Sequence, residues 1–414
     1  MIVFFYFTQP VNSNRIEHNR QLQYKFEASS KDDEIMSFDK IYFSTPSDFQ
    51  KHVKSIEQAY KEKSKDIIRI MKPDYVVENS DFPKNIGYKE SLEKELEEFK
   101  GKKTVRLGIL NAMSNALGDH LIGMQAYDVW QERVREILKD SEVKIDFFQL
   151  SPIHMGPITK RWHEKFNEIY TLPNRFSKLV ELDAYIDLGA LILNEDFDKK
   201  PMIDFYFQAL SIDSNSVSEE SKRNKFKPSD KSLSKIKRVF GEIRKKKRPI
   251  LLFHRQSTND IRTMREPEAR QLIKKIMDET DYFVVSATPT EFFNDRYLDI
   301  SDFSSNLEDF IAIISESDAM VTVDTCSYHF GDAFNIPTVA LFTSIDPELR
   351  TKYYPYVESV MLEKSGGMIY GKHHTSTNPE IKLQQIRYTD ELWRSLNASE
   401  VVEKLQRMEE KLKA

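Results

Sequence analysis

The chain has 414 residues, of which 40% are hydrophobic and 31% charged, a net charge of -5 and a single cysteine, Cys326. That length is too great for one ordinary core and fits two α/β domains of about 150 residues each plus an appendage, while the composition excludes disordered and fibrous classes. The slightly acidic balance argues against a nucleic-acid partner, and one cysteine excludes both an intramolecular disulfide and a multi-cysteine zinc site, which fits a reducing compartment.

Residues 1 to 100 are rich in Lys and Glu, with β-like runs at Ile2–Phe7, Leu22–Phe26 and Lys40–Ser44. Helical spacing follows at Phe49, Val53, Ile56 and Tyr60, and again at Leu92, Leu96 and Phe99, so this segment is expected to be a small α+β appendage. The first run is too short for a signal-peptide core and lacks a basic leader. No stretch approaches the roughly 20 apolar residues of a membrane span, so a cytoplasmic protein is expected, with peripheral contact at the inner face of a membrane left open.

From Lys103 the pattern becomes short β-branched runs alternating with amphipathic helices, which predicts βα units and a parallel sheet. The predicted strands are Val105–Leu110, Lys144–Gln149, Glu168–Leu172 and Ala184–Leu188, with a helix through Val129, Val134 and Ile137. A polar stretch, Ser211–Ser234, has little apolar periodicity, and residues 216–234 are assigned as the interdomain linker. A second series follows with strands Ile250–Phe253, Tyr282–Ser286, Ala319–Val323 and Thr338–Phe342, and helices over Pro267–Asp278 and Leu307–Glu316. The whole predicts two doubly wound, Rossmann-like domains, at 101–215 and 235–390, facing each other across a cleft. A C-terminal helix over 391–414, apolar at Leu392, Trp393, Val401, Val402, Leu405 and Met408, is expected to pack back on the first of them.

In such sheets ligands bind beyond the carboxyl ends of the strands, so the loops there carry the candidate residues. After the first strand come Gly118, Asp119 and His120; Asp119 is either a general base for a hydroxyl or a helix cap. His154, after the next strand, faces an acceptor or lies in an ordinary loop. Ser257, Arg262 and Arg265 follow the first strand of the second series, where an arginine fork can hold a departing diphosphate or simply lie in solvent. The turn Asp324-Thr325-Cys326-Ser327, with His329 one turn on, is a candidate diphosphate site at a helix start; the plain alternative is a cap and a core histidine. The basic run Lys235–Arg248 reads as a solvated face, and His373-His374 lacks the spacing of a helical metal pair.

The stretch Asp324-Thr325-Cys326-Ser327-Tyr328-His329, followed by Ala333–Phe342 and Asp346-Pro347, resembles the donor-binding motif of the heptosyltransferases of glycosyltransferase family nine. That motif runs Asp-Ser/Thr-Gly, two residues, His, a small-residue helix, Pro-Thr-Val-Ala-Leu-Phe-Gly and Asp-Pro. Cys326 stands at its first Gly, and no Trp-Pro pair opens the helix after Arg265. The resemblance covers about residues 103 to 410 and implies a GT-B fold and a metal-independent, inverting transfer without a cofactor. It implies a nucleotide-sugar donor such as ADP-heptose and a glycan, lipid-linked or protein acceptor. Carried onto this chain, it makes Asp119 the catalytic base; Gly118 and His120 beside it, and His154 by its place after a strand, are taken as acceptor contacts. Arg262, Arg265, Ser257, Asp324, Thr325, Cys326, Ser327 and His329 become donor contacts. Three other readings stay open: a transferase acting on an adhesin, a non-catalytic nucleotide-sugar-binding scaffold, and a sugar-nucleotide epimerase.

Overall fold

A computed structural model describes residues 83–88, 90–110, 116–149, 165–171, 174–175, 178–179, 181–188, 199–304, 306–362 and 379–413, with four short strands upstream. The chain forms two compact units, Met1–Ser218 and Glu219–Ala414.

In the first unit the upstream strands are β1 (Val3–Tyr6), β2 (Lys25–Ala28), β3 (Ile41–Ser44) and β4 (Ile68–Met71). They are followed by β5 (Lys84–Asn85), α1 (Leu92–Glu95), β6 (Thr104–Leu110), α2 (Leu117–Ile137), β7 (Glu142–Gln149), β8 (Glu168–Thr171), β9 (Asn174–Arg175), β10 (Ala184–Asp187) and α3 (Met202–Ala209). The main sheet has the order β5-β10-β6-β7-β8 and is parallel throughout. From β6 the chain winds outward through β7 and β8, then returns to place β10 on the other side of β6. This reversal is the topological switch point at which open α/β sheets bind ligands. The inner halves of β6 and β7 are buried, as parallel strands covered on both faces must be, and mostly apolar, with Asp146 of β7 paired to Arg106 at 2.7 Å. The expected 1–100 appendage is less separate than its composition suggests. Its strand β5 extends the main sheet beside β10, and β3 pairs antiparallel with β9. The helix expected around Phe49–Tyr60 lies outside the described residues.

The second unit contains α4 (Asp230–Arg244), β11 (Ile250–His254), α5 (Glu266–Glu279), β12 (Phe283–Ser286), β13 (Tyr297–Asp299), α6 (Leu307–Glu316) and β14 (Ala319–Val323). It continues with α7 (Ser327–Ala333), β15 (Thr338–Phe342), α8 (Glu348–Thr351), β16 (Val357–Met361), α9 (Pro379–Arg394) and α10 (Ala398–Lys413). Its six strands are parallel in the order β13-β12-β11-β14-β15-β16, which is 3-2-1-4-5-6 by chain order and therefore the doubly wound dinucleotide-binding arrangement. The switch point lies between β11 and β14.

Two expectations change. The linker 216–234 is packed structure from Lys222 onward. Lys222 lies 4.4 Å over the Tyr353 ring, Arg223 pairs with Asp332 at 3.1 Å, and α4 starts at Asp230 with Ser229 capping the Ser232 N–H. Ile236, Phe240 and Ile243 form the buried stripe of α4, so the basic run is the wet face of an amphipathic helix. The C-terminal helical region, expected on the first domain, contributes to the core of the second. Trp393, Val401, Val402 and Leu405 are buried with Leu272, Ile273, Val284 and Val321. Those apolar residues recur at helical spacing beside α5, which supplies the matching apolar face.

Candidate functional site

In the first unit, Asp119 is the third residue of α2, half-buried in its first turn beyond the carboxyl end of β6. The cap position is Ala116, so Asp119 does not cap the helix. A carboxylate in the first turn is favoured by the helix dipole, and the Tyr206 hydroxyl of α3 donates to the Asp119 carbonyl at 3.2 Å, fixing that turn. Neighbouring Gly118 and His120 are buried. The His120 ring meets Phe147 edge-on, and burial holds its imidazole down to about 3, so it is a neutral core residue. His154 lies outside the described residues.

In the second unit, the switch point gathers residues from three strand exits. β11 ends at His254, whose Nδ1 lies 2.8 Å from the Ser327 Oγ at the start of α7. The chain then forms a loop closed on itself. The Met264 N–H donates to the Arg255 carbonyl at 3.0 Å, the Ser257 N–H donates to Thr263 Oγ1 at 3.1 Å, and that hydroxyl donates back to the Ser257 carbonyl at 3.2 Å. Asn259 accepts from the Ile261 N–H and starts the tight turn Asp260–Arg262. From it the Arg262 Nη1 reaches Asp324 Oδ2 at 3.1 Å. The other Asp324 oxygen accepts from the buried Tyr328 hydroxyl at 3.2 Å. Arg255 ties the same loop to the exit of β12, donating to the Pro289 carbonyl at 2.8 Å and to Thr290 Oγ1 at 3.2 Å.

This arrangement revises the anticipated roles. Asp324 uses both oxygens to hold Arg262 and Tyr328, a positioning task, since a bare carboxylate would repel a diphosphate. The helix behind the turn, α7, is only seven residues long, so positive charge at the switch point comes from Arg262 more than from a helix end. Cys326 has φ -58°, ordinary right-handed backbone, so the motif glycine is not needed here for conformation. Desolvation pushes its thiol up to about 11, although the residue is half-buried and not fully enclosed. Thr325 is half-buried at the same turn. His329 is buried with its Nδ1 2.8 Å from the Tyr354 hydroxyl and its ring 4.1 Å from that of Tyr328. Burial, aided by Arg350, holds it down to about 3, so it brings no positive charge. Arg265 turns away to Asp390 of α9 at 2.6 Å. Of the donor candidates, Ser257, Arg262, Asp324, Thr325, Cys326, Ser327 and His329 converge, and Arg265 does not.

Sequence reasoning missed His254, Tyr328 and Tyr354. The first was legible as the last residue of a buried strand at the carboxyl end of the sheet. The tyrosines read only as core aromatics. Among the described residues, no group of three His, Cys, Asp or Glu side chains is placed to hold a metal ion, and no helix is long and apolar enough to cross a membrane.

The segment from Ser304 across α6, β14, α7 and β15 to residue 377 matches the family model described as glycosyltransferase family 9 (heptosyltransferase). Residues 304–377 are the part of the chain that resembles that family. This part holds Asp324, Thr325, Cys326, Ser327 and His329, whereas His254, Ser257 and Arg262 reach the switch point from outside it. No curated protein matches the sequence. The chain is also similar to solved structures. One is the ADP-heptose LPS heptosyltransferase II of E. coli, at 17% identity and a TM-score of 0.41, covering 70% of this chain and 99% of that one. A family 9 glycosyl transferase from Veillonella parvula DSM 2008 gives 12% identity and 0.44, covering 70% and 98%. The iron-containing dodecameric glycosyltransferase TibC from enterotoxigenic E. coli H10407 gives 13% identity and 0.47, covering 76% and 78%. These likenesses are too loose to transfer any residue's role, so the family 9 segment and the sheet order stand on their own.

Proposed function

We propose that the protein is a glycosyltransferase that moves a sugar, a heptose or a close relative, from a nucleoside diphosphate to a hydroxyl of a bacterial surface glycan. The observation that carries this reading is the Arg262–Asp324 pair at the switch point of a 3-2-1-4-5-6 sheet, inside and beside the family 9 segment. A guanidinium held in place before substrate arrives stabilises negative charge on a departing diphosphate without rearranging at the moment of reaction. Asp119 takes the proton of the attacking hydroxyl as that oxygen bonds to the anomeric carbon; the sugar–phosphate bond breaks and the diphosphate leaves. A single displacement of this kind inverts the anomeric centre. The reaction needs no metal in this reading, because arginine supplies the charge, and it takes place in the cytoplasm.

Cys326 at the motif glycine puts no strain on the backbone of the turn, which is compatible with donor binding in both the transferase and the scaffold readings. The test is release of nucleoside diphosphate from a panel of nucleotide sugars, ADP-heptose included, with bacterial glycan extracts as acceptors. Wild type releases diphosphate from one donor. Asp119→Asn binds that donor with unchanged affinity and turns over at least 100-fold more slowly, consistent with loss of a general base. Equal turnover by wild type and Asp119→Asn would remove the assigned base; no turnover of any donor would leave the scaffold reading.

A further inference from the structure

The turn that carries Arg262 is held from outside its own loop by a residue that the family 9 motif does not supply. Thr343, the first residue beyond β15, donates from Oγ1 to the carbonyl of Ile261 at 3.0 Å. Thr343 is 1% exposed and Ile261 is fully buried, so this carbonyl has little access to water. β14 lies between β11 and β15 in the sheet, so the contact carries the loop leaving β11 past the carboxyl end of β14, where Asp324 sits. In the motif given above, the position after Phe342 is Gly, which has no side chain to make this bond.

We propose that Thr343 is a positioning residue for nucleotide-diphosphate binding, acting by holding the Ile261 carbonyl so that the next residue, Arg262, presents its guanidinium at the switch point. The proposal rests on the function given in the preceding subsection and adds to it a residue that tunes donor affinity. Ile261 and Arg262 share a peptide unit. When the hydroxyl is removed, the Ile261 carbonyl loses its donor while the Arg262 N–H of the same peptide unit stays bonded to the Asn259 carbonyl at 3.0 Å, so the unit tilts about that remaining bond and the base of the Arg262 side chain shifts with it. Asp324 then loses its bond from Nη1, and the diphosphate loses a prepared cation. The acceptor hydroxyl and Asp119 are untouched, so the damage falls on donor binding more than on the turnover of bound donor.

Two measurements on the full chain test this. The first is a stability cycle with Thr343→Val, which keeps the shape and removes the hydroxyl, Arg262→Gln, and the double variant. Thr343 acting through Arg262 requires that the double variant lose clearly less thermal stability than the two single losses added; strictly additive losses overturn the proposal. This cycle needs no nucleotide, so it stands whether or not the transferase reading survives. The second is titration with ADP, UDP and GDP, followed by steady-state kinetics on any donor that turns over. Thr343→Val is expected to bind the preferred diphosphate about tenfold more weakly, with KM for the donor raised and kcat within twofold of wild type, and Thr343→Ser is expected to restore both. Unchanged affinity in Thr343→Val, or failure of Thr343→Ser to rescue, overturns the proposal, while absence of nucleotide binding in wild type counts against the transferase reading instead.

Discussion

Cys326 and the buried histidines set what the second unit tolerates. With its thiol pushed up to about 11 by desolvation, half-buried Cys326 stays largely protonated at neutral pH, so native protein treated with iodoacetamide at pH 8 is expected to be alkylated much more slowly, by mass spectrometry, than unfolded protein. Rapid alkylation of the native chain would contradict that assignment. His254, held down to about 4 by burial and Arg255, and His329, held down to about 3, take up protons more readily unfolded than folded. Between pH 6.5 and about 4 the unfolded chain therefore binds more protons at both sites, and stability falls as pH falls through that window. Asp332 works the other way. Burial raises it to about 6, so it gains a proton in the folded state first and offsets part of the loss. His329→Gln, which cannot be protonated, is expected to flatten the decline of melting temperature between pH 7 and 5; an unchanged slope would mean that another group governs it. Asp324, Ser327 and His329 were legible in sequence as a group, because a motif fixes order and spacing. Their roles were not legible. Whether a carboxylate meets a diphosphate or an arginine depends on a partner 62 residues away in the chain, Arg262.

At the scale of elements, α7 depends on the segment that opens the second unit. The Asp332 carboxylate, fully buried, accepts from Arg223 Nε at 3.1 Å and from the Asn224 N–H at 2.8 Å, and Arg223 also lies 5.5 Å from the Tyr356 ring. Removing one member of such a pair strands the other, so Asp332→Ala is expected to cost about 3 kcal/mol, measured by denaturant unfolding, at the lower end for buried pairs because Arg223 keeps some contact with water. A loss under about 0.5 kcal/mol, the range of ordinary surface changes, would contradict the clasp. The tight packing of α7 on its sheet appears also at Gly331, where a Cβ would lie 2.6 Å from Thr338 Oγ1. Polar composition made residues 216–234 read as a tether. Short polar side chains look alike whether they face water or one buried carboxylate, and only the fold brings Asp332 to Arg223.

Across the whole molecule, both sheets reverse direction at their first long strand, β6 in one unit and β11 in the other, and both candidate sites follow those strands. Their continuous apolar runs made the strands on either side of each reversal readable from sequence. β5, β9, β13 and β16 escaped because they are short or lie at or near sheet edges, where polar residues such as the adjacent Glu358 and Ser359 interrupt the apolar pattern. The C-terminal helix was recognisable as amphipathic, but an apolar stripe does not name its partner, and α5 supplied the nearer one. In the proposed function the second unit binds a nucleoside diphosphate through Arg262. Its most direct test is calorimetric titration of ADP, UDP and GDP into wild type and Arg262→Ala: one nucleotide binding wild type at micromolar affinity and at least tenfold more weakly without the arginine is the predicted result, and equal affinity in both proteins, or no binding by either, contradicts it.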